Sequence, residues 1–182
     1  MKVVATKIPD VLLIEQRMFK DERGFFIESW NARTFNQAVG TDVTFVQDNH
    51  SRSVRNVLRG LHYQIQNPQG KLVRAATGRV FDVAVDLRRS SATFGCWVGT
   101  ELTEENGRQI WIPAGFAHGF IALSAVADVM YKTTDYYAPE HERCVAWNDP
   151  TIAIAWPLND GTPILSPKDR AGLTLQSAEV FP

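Results

Sequence analysis

Phe81, Val83, Val85 and Leu87 alternate with Asp82, Ala84, Asp86 and Arg88. A period of two belongs to a β-strand whose faces differ, because successive side chains leave a strand on opposite sides. Gly78 precedes the run and Ser90 and Ser91 follow it, so both ends are punctuated. The pattern recurs along the chain. Residues 11–14, 25–30, 43–47, 57–64, 70–74, 94–102, 109–112, 120–123 and 129–136 each read as a short strand between turn residues. One helix stands out at 31–39: Asn31 can cap it, Ala32, Phe35, Ala38 and Val39 supply its buried face, and Gly40 ends it. Many short strands with one or two short helices predict an all-β fold, an antiparallel β-sandwich or barrel of jelly-roll type. The tail from Pro157, with its prolines and Gly161, reads as an extended C-terminal segment wrapped over the surface, closing the barrel mouth.

Length and composition narrow the function classes. The 182 residues suit a single domain spanning 1–182, with no repeat, low-complexity run or linker. A net charge of −1 gives no bulk attraction for nucleic acid or a membrane surface, so any anion site must be a local cluster. The least charged long stretch, 110–127, is broken by Pro113, Gly115, His118 and Gly119 and cannot serve as a membrane span. The N-terminal residues lack the apolar core of a signal peptide. Cys96 and Cys144 are far apart and in no metal-type spacing; they read as reduced, partly buried thiols of a cytosolic protein, with no base beside them in sequence.

The chemistry concentrates in Val57-Leu58-Arg59-Gly60-Leu61-His62-Tyr63-Gln64 and the following Gly70-Lys71-Leu72-Val73-Arg74, read as adjoining strands joined by a turn. A histidine that titrates near neutrality, beside an ammonium and guanidinium groups, suits an anionic substrate that must lose a proton. Strict alternation would put Arg59 and His62 on opposite faces; a bulge at Gly60 turns both inward. Lys71 is either a solvated turn lysine or, pointing inward, a cation for a developing oxyanion. Tyr131 either packs with its hydroxyl tied to backbone or faces a base as a proton donor, and spacing does not choose. His118 sits in a Gly-rich turn, Ile112 to Phe120. With His62 it raises a metal-site alternative, which four histidines without a His-x-His pair do not favour. The polar run Gln47-Asp48-Asn49-His50-Ser51-Arg52-Ser53 is either a turn cluster or a patch for sugar hydroxyls and phosphate. Arg23 and Glu28 around Phe25-Phe26 are either ordinary edge charges or an arginine on phosphate beside a ring stacked on a base.

Taken together, Arg23-Gly24-Phe25-Phe26, Gln47-Asp48-Asn49-His50-Ser51, Leu58-Arg59-Gly60-Leu61-His62-Tyr63-Gln64, Gly70-Lys71-Leu72-Val73, the 81–88 alternation, the 112–120 turn, Trp147-Asn148-Asp149-Pro150 and Leu165-Ser166-Pro167-Lys168-Asp169 resemble the dTDP-4-dehydrorhamnose 3,5-epimerase family of cupin-type jelly rolls, in order and over nearly the whole chain. The resemblance implies a cytoplasmic, metal-free enzyme without cofactor that inverts C3 and C5 of a dTDP-4-keto sugar in dTDP-L-rhamnose biosynthesis. It implies His62 as base, Tyr131 as proton donor, Asp169 as the carboxylate paired with His62, and Lys71 near the C4 oxygen. Arg23, Phe26, Glu28, Gln47, Asn49, Arg59, His118, Tyr137, Glu142 and Lys168 match positions that hold the nucleotide sugar. Phe26 is expected from the partner of a strand-exchanged homodimer, with no nucleic acid or membrane partner. The rival expectations are an epimerase acting at one carbon, a ketoisomerase, a metal-dependent cupin oxygenase and a non-catalytic sugar-binding module.

Overall fold

A computed structural model describes residues 1–158 and 161–182, so two positions of the expected tail, 159 and 160, lie outside the described residues. In chain order the strands are β1 (Lys2–Ala5), β2 (Leu12–Glu15), β3 (Met18–Asp21), β4 (Gly24–Ile27), β5 (Gln47–Val54), β6 (Leu58–Gln64), β7 (Lys71–Thr77), β8 (Arg79–Asp86), β9 (Trp97–Thr103), β10 (Arg108–Ile112), β11 (Phe116–Ala122), β12 (Val126–Thr133) and β13 (Glu142–Cys144). Two short helices are present, α1 (Ala32–Val39) and α2 (Pro167–Arg170). A six-stranded sheet in the order β1-β2-β10-β7-β12-β5 faces a five-stranded sheet in the order β13-β6-β11-β8-β9, and all their ladders are antiparallel. The expected all-β jelly roll is the fold observed.

Alternation explains why the sheets stack. Val73 and Ala75 of β7, Val80 and Ala84 of β8, Phe116, Phe120 and Ala122 of β11, and Ala127 and Val129 of β12 all point between the sheets and form the inner core. The odd phase of β8 does the opposite work. Phe81, Val83, Val85 and Leu87 face outward, where Ile152, Leu175, Ala178, Val180 and Phe181 cover them. Without that cover this apolar face would lie in water, so the tail buries the back of the sheet rather than only closing a mouth. On the outer face of the six-stranded sheet, α1 buries Phe35 against Trp111, with ring centroids 5.5 Å apart. Asn31 caps α1 and Gly40 ends it in the left-handed region, as predicted, although Ala32 is exposed.

Three local readings change. Residues 43–46 are not strand; β5 is the polar run that begins at Gln47, because the backbone of β12 supplies its ladder and polarity of the side chains does not prevent that. The Gly-rich turn is confined to 113–115, so His118 belongs to β11. Finally, β6 and β7 are not neighbours: the connection between them crosses from one sheet to the other.

The β3–β4 ribbon shares no ladder with either large sheet; among the described residues its two strands pair with each other. It exposes Phe19, Phe25 and Phe26 at 50%, 54% and 69%.

Candidate active site

Each inner row of apolar side chains is interrupted or ended by one polar residue at the same end of the interior. Lys71 continues the row of Val73 and Ala75, and Tyr131 continues that of Ala127 and Val129. Asp82 lies between Val80 and Ala84, and His118 between Phe116 and Phe120. These rows, together with β6 and β13, line a cavity of about 310 Å³ that holds Arg59, His62, Lys71, His118, Tyr131, Tyr137, Glu142, Lys168 and Asp169. Nine of the fourteen residues singled out in the sequence therefore converge. Ser51, Tyr63, Gln64 and Ser166, which belong to the family-like blocks without an assigned role, also line it, as does Gln69, which no block includes.

Arg59 and His62 both reach the cavity because β6 is irregular, as the glycine predicted. His62 pairs with His118 and Arg59 with Phe120, so Gly60 and Leu61 stand opposite the single Gly119. Gly60 has φ +120°, and a Cβ there would come 2.6 Å from the Gly119 Cα. Arg59 is then held across the interior by β5, donating to Ser53 Oγ and the Arg52 carbonyl, both at 3.0 Å.

The tail brings in the carboxylate. Asp169 is 3% exposed. Its Oδ1 accepts the Gly60 backbone N–H at 2.9 Å, and its Oδ2 accepts the Ser166 hydroxyl at 2.6 Å within the capping box of α2. Oδ1 also lies 2.9 Å from His62 Nε2. Burial opposes ionisation of Asp169, but His62, Ser166 and the Gly60 N–H outweigh it and hold its carboxyl well below the usual carboxylate range.

From the opposite sheet come Lys71 and Tyr131. Lys71 is 7% exposed, and burial brings its ammonium down to about 8, with Glu142 and Asp82 acting against the shift. Burial and then the Glu142 charge push the Tyr131 phenol up, so it is a proton holder at neutral pH. Its ring centroid lies 6.4 Å from that of His118. His118 Nε2 meets Asp82 Oδ2 at 2.8 Å, with both groups buried; burial raises the Asp82 pKa, against the pull of His118 and Lys71. Asp82 was missed in the sequence. The available signal was an acid in mid-strand among the inner-phase residues Val80 and Ala84.

At the rim, Glu142 accepts from Tyr137 Oη at 2.7 Å and from Lys168. Gln47 and Asn49 do not line the cavity. Gln47 donates to Asn49 and accepts the Tyr137 backbone N–H at 3.0 Å, so the pair supports the Tyr137 loop. Arg23, Phe26 and Glu28 are on or beside the β3–β4 ribbon, outside the cavity lining of their own chain; Arg23 pairs with Asp21, and Glu28 accepts from Asn31. One thiol differs from expectation: Cys96 is exposed, whereas Cys144 is half-buried as expected and stands opposite His62 in the β13–β6 ladder.

An imidazole with a buried carboxylate, facing a buried ammonium and a phenol across one small cavity, can take a proton from carbon, stabilise the resulting enolate and return a proton from the other side. Fold and site thus define a cupin-type jelly-roll protein with acid–base machinery for a carbonyl-bearing substrate. A sequence model described as dTDP-4-dehydrorhamnose 3,5-epimerase matches residues 5–177. Over 182 residues the chain is 64% identical to the dTDP-4-dehydrorhamnose 3,5-epimerase of Pseudomonas aeruginosa, covering 100% of both. It is 58% identical to that of Salmonella typhimurium, covering 98% of this chain and 97% of the relative. A crystal structure of a dTDP-6-deoxy-D-glucose-3,5-epimerase from Legionella pneumophila, in complex with dTDP-4-keto-L-rhamnose, superposes with TM-score 0.95 at 53% identity, covering 98% of this chain and 94% of that one. The chain belongs to the dTDP-4-dehydrorhamnose 3,5-epimerase family.

Proposed function

We propose that the protein converts dTDP-4-dehydro-6-deoxy-D-glucose to dTDP-4-dehydro-L-rhamnose by inverting C3 and C5. One observation carries this reading: His62 and Tyr131 project from opposite sheets into the same cavity, with Lys71 buried beside them. A hydrogen next to a ketone becomes removable only if the enolate oxygen is stabilised as it forms. His62, whose charged form the Asp169 carboxylate 2.9 Å away stabilises, takes the proton; Lys71 faces the C4 oxygen; Tyr131 returns a proton from the opposite face. The product differs from the substrate only in configuration, so no electron or group carrier enters the balance.

Arg59, His118, Glu142 and Lys168 serve the sugar and diphosphate, with Tyr137 packing at the nucleotide end and Gln47 and Asn49 positioning it. Arg23, Phe26 and Glu28 complete the site of a second subunit in a strand-exchanged homodimer, which their exposed ribbon supports. Both large sheets share one interior, which supports a single domain over 1–182. No helix among the described residues is long and apolar enough to cross a membrane. A nucleotide-sugar substrate and two unpaired thiols support a cytoplasmic location.

The test is exchange of the C3 and C5 hydrogens with deuterated water. His62→Ala, folded by circular dichroism, is expected to lose about 10²–10⁴-fold in turnover and to abolish exchange. Near-normal turnover in that variant removes the base assignment, and exchange confined to one carbon replaces double with single epimerisation.

A further inference from the structure

Cys144 has no place in the chemistry proposed above, yet its position is singular. Strand pairing sets it directly opposite His62, and α2 delivers Asp169 to the same point. A ring nitrogen of His62, the Cys144 sulfur and a carboxylate oxygen of Asp169 all lie within 4.8 Å of one another. These donors come from three separate elements, β6, β13 and α2, so the tertiary fold assembles the set.

Two further observations point to a ligand. The Nε2 atom of His62 is buried and has no hydrogen-bond partner of acceptable geometry, although Asp169 Oδ1 is only 2.9 Å away. The contact is close but misdirected, which leaves a buried imidazole nitrogen free to bind. The half-buried Cys144 sulfur also lies within 4.8 Å of a nitrogen of the same imidazole. The thiol donates to the Val145 carbonyl at 3.6 Å.

The geometry points to an inhibitory site for a zinc-like divalent cation, formed by His62, Cys144 and Asp169. Imidazole, thiolate and carboxylate together are a borderline-soft donor set that suits Zn²⁺ better than Mg²⁺ or Ca²⁺. Bonds of about 2.0–2.3 Å to a tetrahedral ion place such donors about 3.3–3.6 Å apart, so a small side-chain adjustment of Cys144 brings the set to bonding distance. The thiol proton leaves to solvent as the metal binds, and the fourth position falls to water. Occupation takes the imidazole out of the reaction, a consequence that rests on the proposed role of His62.

Direct binding and turnover are measured together on the full chain. The native protein is expected to bind one Zn²⁺ by equilibrium dialysis, to show a near-ultraviolet thiolate-to-metal band with Co²⁺, and to lose proton exchange as Zn²⁺ fills the site. Cys144→Ser and Cys144→Ala should keep metal-free turnover, lose the band, bind Zn²⁺ at least about tenfold more weakly and resist inhibition. Cys96→Ser should behave as native. A band that persists without Cys144, or Zn²⁺ affinity equal in the native protein and both variants, overturns the site. Zinc bound through Cys144 with undiminished exchange leaves the site standing and instead removes His62 from turnover, so the two readings fail separately.

Discussion

At the scale of single residues, the site trades stability for chemistry, and Lys71 shows it most directly. Its ammonium is buried at 7% exposure and titrates at about 8 instead of 10.5. The folded chain therefore binds this proton more weakly than the unfolded chain does. Below about 8 both states are protonated and the full penalty is present; it fades between about 8 and 10.5 and is gone above. Lys71→Met is thus expected to raise stability at pH 7 by about 1–3 kcal/mol in urea denaturation while abolishing turnover. In the native protein kcat should fall through an alkaline limb near pH 8, as the cation beside the enolate oxygen is lost. A flat profile to pH 9.5 would show that the charge on Lys71 is not used. The identity of Lys71 was plain in the sequence, but its direction was not: Gly70-Lys71 reads equally well as a solvated turn. Burial of Val73 and Ala75 two and four residues further on is what assigns Lys71 to the inner phase.

Among elements, β6 matters most, because its irregularity sets two site residues on one face. Regular alternation would separate Arg59 from His62. Gly60 resolves the conflict with a positive φ and a close approach to Gly119 that no side chain permits. Gly60→Ala is expected to cost at least about 1 kcal/mol by denaturant titration and to lower kcat, since it must displace β11 or undo the bulge. Unchanged stability and activity would mean that the ladder has slack where the glycines meet. Here the sequence was legible, because a glycine between two polar residues of one strand is a recognisable bulge signal. The assignment of β5 was not. A run of polar residues carries no apolar rhythm, and only the backbone of β12 makes Gln47–Val54 a strand.

For the whole molecule, the open question is where Phe26 acts. The β3–β4 ribbon holds three exposed phenylalanines and does not line the cavity of its own chain. Apolar rings held out in water mark a contact surface. If Phe26 completes a second subunit's site, mixed dimers of Phe26→Ala and His62→Ala chains contain one intact site each. Turnover per mixed dimer should then recover to about half that of the native dimer, where neither parent variant is active at the same level; this follows because only a trans contribution separates the two lesions. No recovery on mixing places Phe26 in its own chain or outside the site.

The amino-acid sequence alone determined what could be read over a few residues at a time. Period-two runs implied strands, Asn31 and Gly40 bounded a helix, and the spaced blocks around His62, Lys71 and Asp169 carried the family. Tertiary structure decided which strands face each other. Lys71 and His62 meet because β7 and β6 lie in opposite sheets, Asp169 arrives from the far end of the chain through α2, and Asp82 stands behind His118. Those meetings depend on pairing between segments distant in sequence, and a local pattern specifies only which face a side chain takes, never what stands opposite it.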